Sequence, residues 1–355
     1  MNLKINHRTG VSNITFFNDF SLKLQYDSVA STFGFSFYFD PLNKQHAEMA
    51  CVSHYHDVLI EHEGELLLTG RLLNQDFSMD SSKDLTHFGG YSLAGVIEDC
   101  EIPPSLYPLQ SDGMTLSEIA KRITDKFGLK MIVDASVSGK MNKAIPVTTA
   151  KETQSIKSYL TELCAQRGII MSHNASGHLL FTKAKTEAAP IFHVEKGLIA
   201  TNIKLNFNGQ GIHSEITVQK QASSDGGNAG EYTIQNPYCS IVYRPTVVTQ
   251  NSGDDNTIEE AAKTALASEL RNIVLTVETD RWKVDGKLIR PNNLITVYCP
   301  DVFLYKKTTW FIQSVEFKGD EKSNTATLTC VLPECYNGKI PKNIFVNPHE
   351  NLPRF

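Results

Sequence analysis

The 355-residue sequence predicts a mainly β protein with α+β parts, in which two small β-barrel domains are separated by a small α/β domain. Three observations predict it. Short segments toward both ends alternate apolar and polar residues with period two, as half-buried strands do, and show no parallel βαβ rhythm. The middle of the chain holds stretches of helical spacing next to short apolar strands. With 41% hydrophobic and 21% charged residues, the chain has enough apolar material for more than one core. The expected boundaries are 1–92 for the first barrel, 93–189 for the α/β domain and 190–335 for the second barrel, leaving 336–355 as a C-terminal tail. Helix and loop insertions into the second barrel are expected over about 221–290.

The first strands are residues 22–26 and 33–39, both alternating. Residues 57–70 read as a hairpin: Val58-Leu59-Ile60, a polar tip from Glu61 to Glu65, then Leu66-Leu67-Leu68, running on as a strand to Phe77. Several short strands in series suit a small barrel. From about Tyr91 the pattern changes. Thr115-Leu116-Ser117-Glu118 is a capping box, in which hydroxyl and carboxylate each satisfy a free backbone N–H. Ile119, Ile123 and Phe127 then mark one helical face, stopped by Gly128, and residues 130–133 are a strand.

Residues 152–183 are the densest signal in the chain. Ile156, Tyr159, Leu160, Leu163 and Cys164 recur at helical spacing, and Gly168 ends the helix. Two apolar strands, 169–171 and 179–181, flank the turn Asn174-Ala175-Ser176-Gly177. The α/β domain closes near Ala189-Pro190. Beyond it, strands are expected at 199–207, 214–220, 232–235 and 242–249, interrupted by polar loops at 223–230 and 251–256. A second capping box, Thr257-Ile258-Glu259-Glu260, opens a helix that runs to about Arg271. Residues 273–278, 294–298, 309–317 and 326–331 are the closing strands. The strand–excursion–strand layout of 58–60 and 68–77 recurs in 294–297 and 310–317, as a duplicated barrel would show.

Charge and cysteine usage exclude several classes. A net charge of −5 with scattered Lys and Arg leaves no basic field for nucleic-acid phosphates. The start, MNLKINHRTG, has no apolar run behind its charges, so a secretory signal is not expected, and no aliphatic run reaches membrane-spanning length. Seven widely spaced cysteines, Cys51, Cys100, Cys164, Cys239, Cys299, Cys330 and Cys335, suit reduced thiols in a cytosolic setting.

The segment 152–183 also resembles the central part of the baseplate hub proteins of Mu-like contractile-tailed phages. So do Gly89-Gly90-Tyr91-Ser92-Leu93-Ala94-Gly95-Val96-Ile97-Glu98-Asp99-Cys100 and Leu116-Ser117-Glu118-Ile119-Ala120. In the second half, Tyr243-Arg244-Pro245, the stretch from Trp282 to Leu288, and Pro291-Asn292 follow in the family's order. The resemblance implies a structural hub, similar also to the hub part of VgrG proteins in type VI secretion. It implies a homotrimer with two barrels per subunit, so that three chains present six barrels and join a sixfold tail tube to a threefold spike around an axial channel. The implied partners are the tail spike, the tail tube and other baseplate proteins, with DNA only passing through. The implied location is the virion tail baseplate of a phage or prophage, assembled in the bacterial host cytoplasm. No membrane insertion, cofactor or catalytic activity is implied.

Several residues invite a chemical reading. His54-Tyr55-His56-Asp57, with His62 and Glu63 near, superficially resembles a metallo-hydrolase motif, and alternate histidines on a strand share a face. The order of ligands is wrong, however, and a polar strand edge is the better reading. Asp254, Asp255 and Asn256, and Asp225 with Asn228, lack the alternating oxygens of a calcium loop. Glu98, Asp99 and Glu101 are the carboxylates a cell-wall hydrolase would need, but neighbours on a strand face opposite sides. Cys164 lies on an apolar helix face, and Trp282 and Trp310, which a carbohydrate-binding protein would use for stacking, sit among strand residues. No residue is therefore assigned a catalytic, cofactor-binding or metal-binding role.

Overall fold

The computed structural model describes residues 1–79, 84–106, 111–145, 150–151, 153–221, 228–250, 257–320 and 322–345. The chain divides into two compact units. The first comprises 1–165, 169–183 and 316–326; the second comprises 166–168, 184–315 and 327–355.

The first unit begins with a hairpin, β1 (Asn2–His7) and β2 (Gly10–Ile14), followed by β3 (Asp19–Gln25) and β4 (Thr32–Tyr38). A short helix, α1 (Lys44–Met49), is capped by the Asn43 side chain, which accepts from the backbone N–H groups of Gln45 and His46. Then come β5 (Asp57–His62), the long β6 (Glu65–Met79) and β7 (Asp84–Ser92). The antiparallel order is β3–β4–β7–β6–β5–β1–β2. Leu3, Ile5, Leu22, Phe35, Val58, Ile60, Leu68 and Phe88 are fully buried, each side chain stabilising the fold by roughly 1.5–3 kcal/mol. Leu73 is the extra residue of a bulge in β6, opposite the paired glycines Gly89 and Gly90 of β7. At Gly90 a Cβ would stand 2.0 Å from the Arg71 carbonyl oxygen and 2.8 Å from the Phe33 ring, so the close crossing requires glycine. Residues 316–326 also belong to this unit, and there Gly319 lies against the ring of Phe20.

The α/β part of the same unit contains α2 (Val96–Asp99), α3 (Leu116–Lys126), β8 (Met131–Val133), α4 (Ser138–Met141), α5 (Ile156–Ala165), β9 (Ile170–His173) and β10 (Leu179–Thr182). The capping box of α3 forms as expected: Thr115 Oγ1 accepts from the Glu118 N–H, and Glu118 Oε2 accepts from the Thr115 N–H. Those bonds hold the Glu118 carboxyl below its ordinary range. Helix α5 presents Ile156, Tyr159, Leu160, Leu163 and Cys164 to the interior, which are the five residues the spacing selects. They pack with Ile119, Ile123, Leu179 and Phe181 in one core. Strand β10 pairs antiparallel with β9 across the 174–177 turn and parallel with β8.

The second unit holds β11 (His193–Lys196), β12 (Ile199–Ala200), β13 (Asn202–Phe207), β14 (Glu215–Gln221), β15 (Asn228–Gln235) and β16 (Pro245–Gln250). Helix α6 (Ile258–Leu270) follows, opened by the second capping box on Thr257 and Glu260. Then come β17 (Ile273–Thr279), β18 (Lys283–Val284), β19 (Lys287–Leu288), β20 (Leu294–Cys299), β21 (Leu304–Asp320), β22 (Asn324–Val331) and α7 (Glu334–Asn337). One run of paired strands is β12–β11–β20–β21–β22–β17–β13, and β15–β14–β16 is a separate three-stranded sheet. Helix α6 lies on that small sheet, joining Ala262, Leu266 and Leu270 to the buried Ile216, Val218 and Ile234.

The architecture is mainly β, as the sequence predicts. The two barrels are not met as closed cylinders: among the described residues neither path of strands returns to its first member. Alternation reports that one face of a strand is buried; closure depends on tilt and stagger between distant strands, which alternation does not encode. In the second unit β11 pairs parallel with both β12 and β20, and β14 pairs parallel with β16. The strand expected at 242–249 starts only at Pro245, because Val242, Tyr243 and Arg244 form the approach to it. The strand expected at 199–207 is broken at Thr201, next to Ile199 in a left-handed conformation.

Candidate sites and exposed surfaces

His54 and His56 do not lie on a strand. They belong to an irregular passage between α1 and β5, in which Ser53 and Tyr55 have φ of 71° and 49°. The expectation of one shared strand face is thereby corrected: left-handed residues break the two-residue period. The rings still meet edge to face, 5.4 Å between centroids, and His56 also meets His7 at 6.2 Å. His56 is buried and its Nε2–H donates to the Glu48 carbonyl oxygen at 3.2 Å. Burial lowers its pKa below the ordinary imidazole value, against the opposing pull of the carbonyls of Glu48 and Asn6. His62 turns to Glu63 at 3.5 Å. Among the described residues no three His, Cys, Asp or Glu side chains converge as metal ligands would.

Glu98 and Asp99 sit on the short helix α2, not on a strand. Each is already engaged. Glu98 is ion-paired with Lys157 and accepts from Ser28 Oγ at 3.3 Å, while Asp99 accepts from the Tyr91 hydroxyl at 3.0 Å. These groups line an open cleft of about 380 Å³ with Lys23, Gln25 and Asp27. A carboxylate held by a lysine ammonium is a poor proton donor for glycoside cleavage. Glu101 is exposed and bridges by backbone to Ser155.

Cys164 is buried in the α5 core. Trp310 is fully buried and donates from Nε1 to Thr308 Oγ1 at 2.9 Å; Trp282 is nearly buried, and its carbonyl accepts from the Ile289 N–H. Neither ring offers an open stacking face. Asp225, Asp254, Asp255 and Asn256 lie outside the described residues, and Asn228 is described only by its backbone, in β15.

The surfaces hold what residue-by-residue motif reading missed. In the first unit Tyr38, Leu42, Phe77 and Met79 are exposed, Leu42 and Met79 by 94% and 90%. In the second, Ile241 (96%), Tyr243 (76%), Val242 and Ile340 border an open groove of about 640 Å³ beside β15. The available signal was Ile241-Val242-Tyr243 directly before Pro245, three apolar residues with no alternation. Arg244 anchors that corner by donating to the carbonyl oxygens of Gly209 and Gln210.

This mainly β chain is similar to tail and baseplate proteins of bacteriophages. Residues 94–183 match the second domain of the gp44-like baseplate hub proteins. Over 256 residues the chain is 23% identical to the baseplate hub protein gp44 of Escherichia phage Mu, covering 67% of this chain and 65% of that one. The chain thus spans just under two thirds of the curated relative it matches. Among solved structures, it overlays on the 43 kDa tail protein of prophage MuSo2 from Shewanella oneidensis with a TM-score of 0.79 at 17% identity, covering 96% and 100% of the two chains. The tail protein from Neisseria meningitidis MC58 gives 0.76 at 16%, covering 94% and 98%. A Francisella PdpA–VgrG complex gives 0.55 at 9%, covering 96% of this chain and 58% of that one. The resemblance read from the sequence is therefore found independently, in a baseplate hub protein, two tail proteins and a VgrG complex.

Proposed function

We propose that the protein is the baseplate hub of a contractile phage or prophage tail. The observation that carries this reading is the match of residues 94–183 to the second domain of baseplate hub proteins. The mechanism is mechanical. Three copies form a ring in which the strand-rich parts, proposed as two barrel-like domains at 1–92 and 190–335, present six similar surfaces to a sixfold tube. The α/β domain at 93–189 separates them along the sequence, and 336–355 is proposed as a C-terminal tail. The spike, the tube and other baseplate proteins are the partners, and the host cytoplasm is the site of assembly. A net charge of −5 suits an axial passage through which DNA slides without sticking.

The exposed apolar residues support the reading, since a hub must be covered on several faces. Light scattering across a concentration series tests it. A native mass three times that of the chain is expected. A stable dimer overturns the proposal, because a twofold ring does not match a sixfold tube.

A further inference from the structure

We propose that imidazoles around α1 form an acid-sensitive latch, holding residues 40–56 against the β1–β2 hairpin while neutral and releasing them on protonation. The latch is built from side chains that bridge separate elements. Gln45 Nε2 donates to Ser12 Oγ at 3.1 Å, and His7 Nε2 meets the same hydroxyl at 2.9 Å. His7 Nδ1 meets Thr9 Oγ1 at 3.1 Å, and Thr9 donates to Glu48 Oε2 at 2.5 Å. His56 holds the end of α1 through the Glu48 carbonyl, and Gln75 Nε2 of β6 holds the Ala50 carbonyl at 3.0 Å. His46 Nδ1 accepts from the Asp40 N–H at 3.1 Å, which requires that nitrogen to carry no proton.

Protonation undoes this arrangement. An imidazolium donates from both nitrogens, so His46 loses its acceptor role. His7, His54 and His56 form a chain with centroids 6.2 Å and 5.4 Å apart, so two charged neighbours repel at short range. The groups acting on His56 are the His54 and His7 rings and the backbone carbonyls of Glu48 and Asn6. The carboxylate nearest the cluster is that of Glu48, 3.8 Å from His7 and already engaged by Thr9. Of the charged groups on the neighbouring strands, Lys4 of β1 is paired with Glu61 of β5, and Asp57 of β5 with Arg71 of β6. Lys44 of α1 adds positive charge, and the Cys51 thiol lies 3.5 Å from His54.

The segment is also lightly held. Met49 and Ala50 are its buried apolar residues, while Leu42, Val52 and Tyr55 are exposed. An open cleft of about 440 Å³ between the hairpin and α1 admits water to His7 and Glu48. The left-handed Ser53 and Tyr55 carry backbone strain that release relieves.

Amide hydrogen exchange on the full chain at pH 7.5 and pH 5, corrected for the intrinsic rate, tests the latch. Protection over residues 44–56 should fall by about tenfold or more at pH 5, while residues 86–92 of β7 change less than about twofold. In His54→Gln, whose exposed ring leaves folding intact, and in His56→Gln, the acid-induced loss should shrink below about threefold. If both variants keep the full loss, or if 44–56 changes no more than β7, the proposal falls. Should His56→Gln not fold, titration of the wild-type imidazoles by NMR decides. Amide shifts of 44–56 must move at the imidazole midpoints, and a separate midpoint overturns the latch.

Discussion

Two three-stranded sheets in this molecule carry helices on one face, and they have opposite surfaces. In the α/β domain, β8–β10–β9 is covered by α3 and α5, and the apolar residues of both helices go into one core with Leu179 and Phe181. In the second unit, β15–β14–β16 is covered by α6. There Ile216, Val218 and Ile234 are inside, but Val247, Val248 and Tyr232 are 36–60% exposed, with Ile241 and Tyr243 beside them. The first sheet shares one closed core with its two helices. The second leaves apolar residues exposed beside Glu215, and its strand β16, PTVVTQ, carries no charge to discourage strand pairing.

The comparison can be broken most severely in the α5 core. Leu160→Ala should cost about 3 kcal/mol, within the usual range for a buried leucine, as read by urea unfolding. A loss below about 1 kcal/mol would show that this core is not close-packed. A pH series sharpens the same region through His173 of β9, whose ring nitrogens have no hydrogen-bond partner among the described residues. Burial pushes its pKa down to about 4 from 6.5. The unfolded chain therefore binds a proton that the folded one refuses. Stability is full above pH 6.5 and falls as pH drops from 6.5 toward 4, by at most about 3 kcal/mol. In His173→Gln this slope should flatten, measured as urea midpoints at pH 7.5, 6 and 5; parallel curves for the two proteins would remove His173 from the account.

Smaller effects separate the two sheets further. Thr257→Ala removes the cap of α6 and should cost about 1 kcal/mol. Because α6 is the cover of the second sheet, tyrosine fluorescence and exchange in β14 should report the loss before β10 does. Simultaneous loss in both would mean the sheets do not unfold separately. The smallest effect is expected for Ile241→Ser with Tyr243→Ser. Stability should change by less than about 0.5 kcal/mol, since both side chains are exposed. Self-association by light scattering should weaken instead, and an unaltered mass profile would take this groove out of the assembly surface.

Much of the fold was legible because its signals are local. Thr115 with Glu118 and Thr257 with Glu260 bond within one turn, so sequence neighbours suffice to place both helix starts. The 174–177 turn needs only Asn174 to accept from His178 N–H and Gly177 to take a φ of 77°. Helix α1 was missed because six residues carry too little period, and its hold on the chain comes from His7, Ser12 and Thr9, more than thirty residues earlier. The β1–β2 hairpin was passed over because only its inward residues Leu3 and Ile5 are apolar enough to register. Of the candidate sites, the burial of Cys164 followed from helix spacing. The helix that carries Glu98 and Asp99 did not, since four residues after two glycines resemble a strand end as closely as a helix start.

The sequence by itself determined where α3 and α6 begin, which residues of α3 and α5 turn inward, and the resemblance of 152–183 to baseplate hub proteins. All of these depend on residues within a turn or two of one another. Tertiary structure alone decided that β14 and β16 run parallel, that the strand paths stay open among the described residues, and that Ile241 and Tyr243 remain outside while Trp310 is fully enclosed. Apolar character states only that a side chain gains by leaving water. Which surface takes it in is set by segments far along the chain, and among the described residues none covers Ile241 or Tyr243.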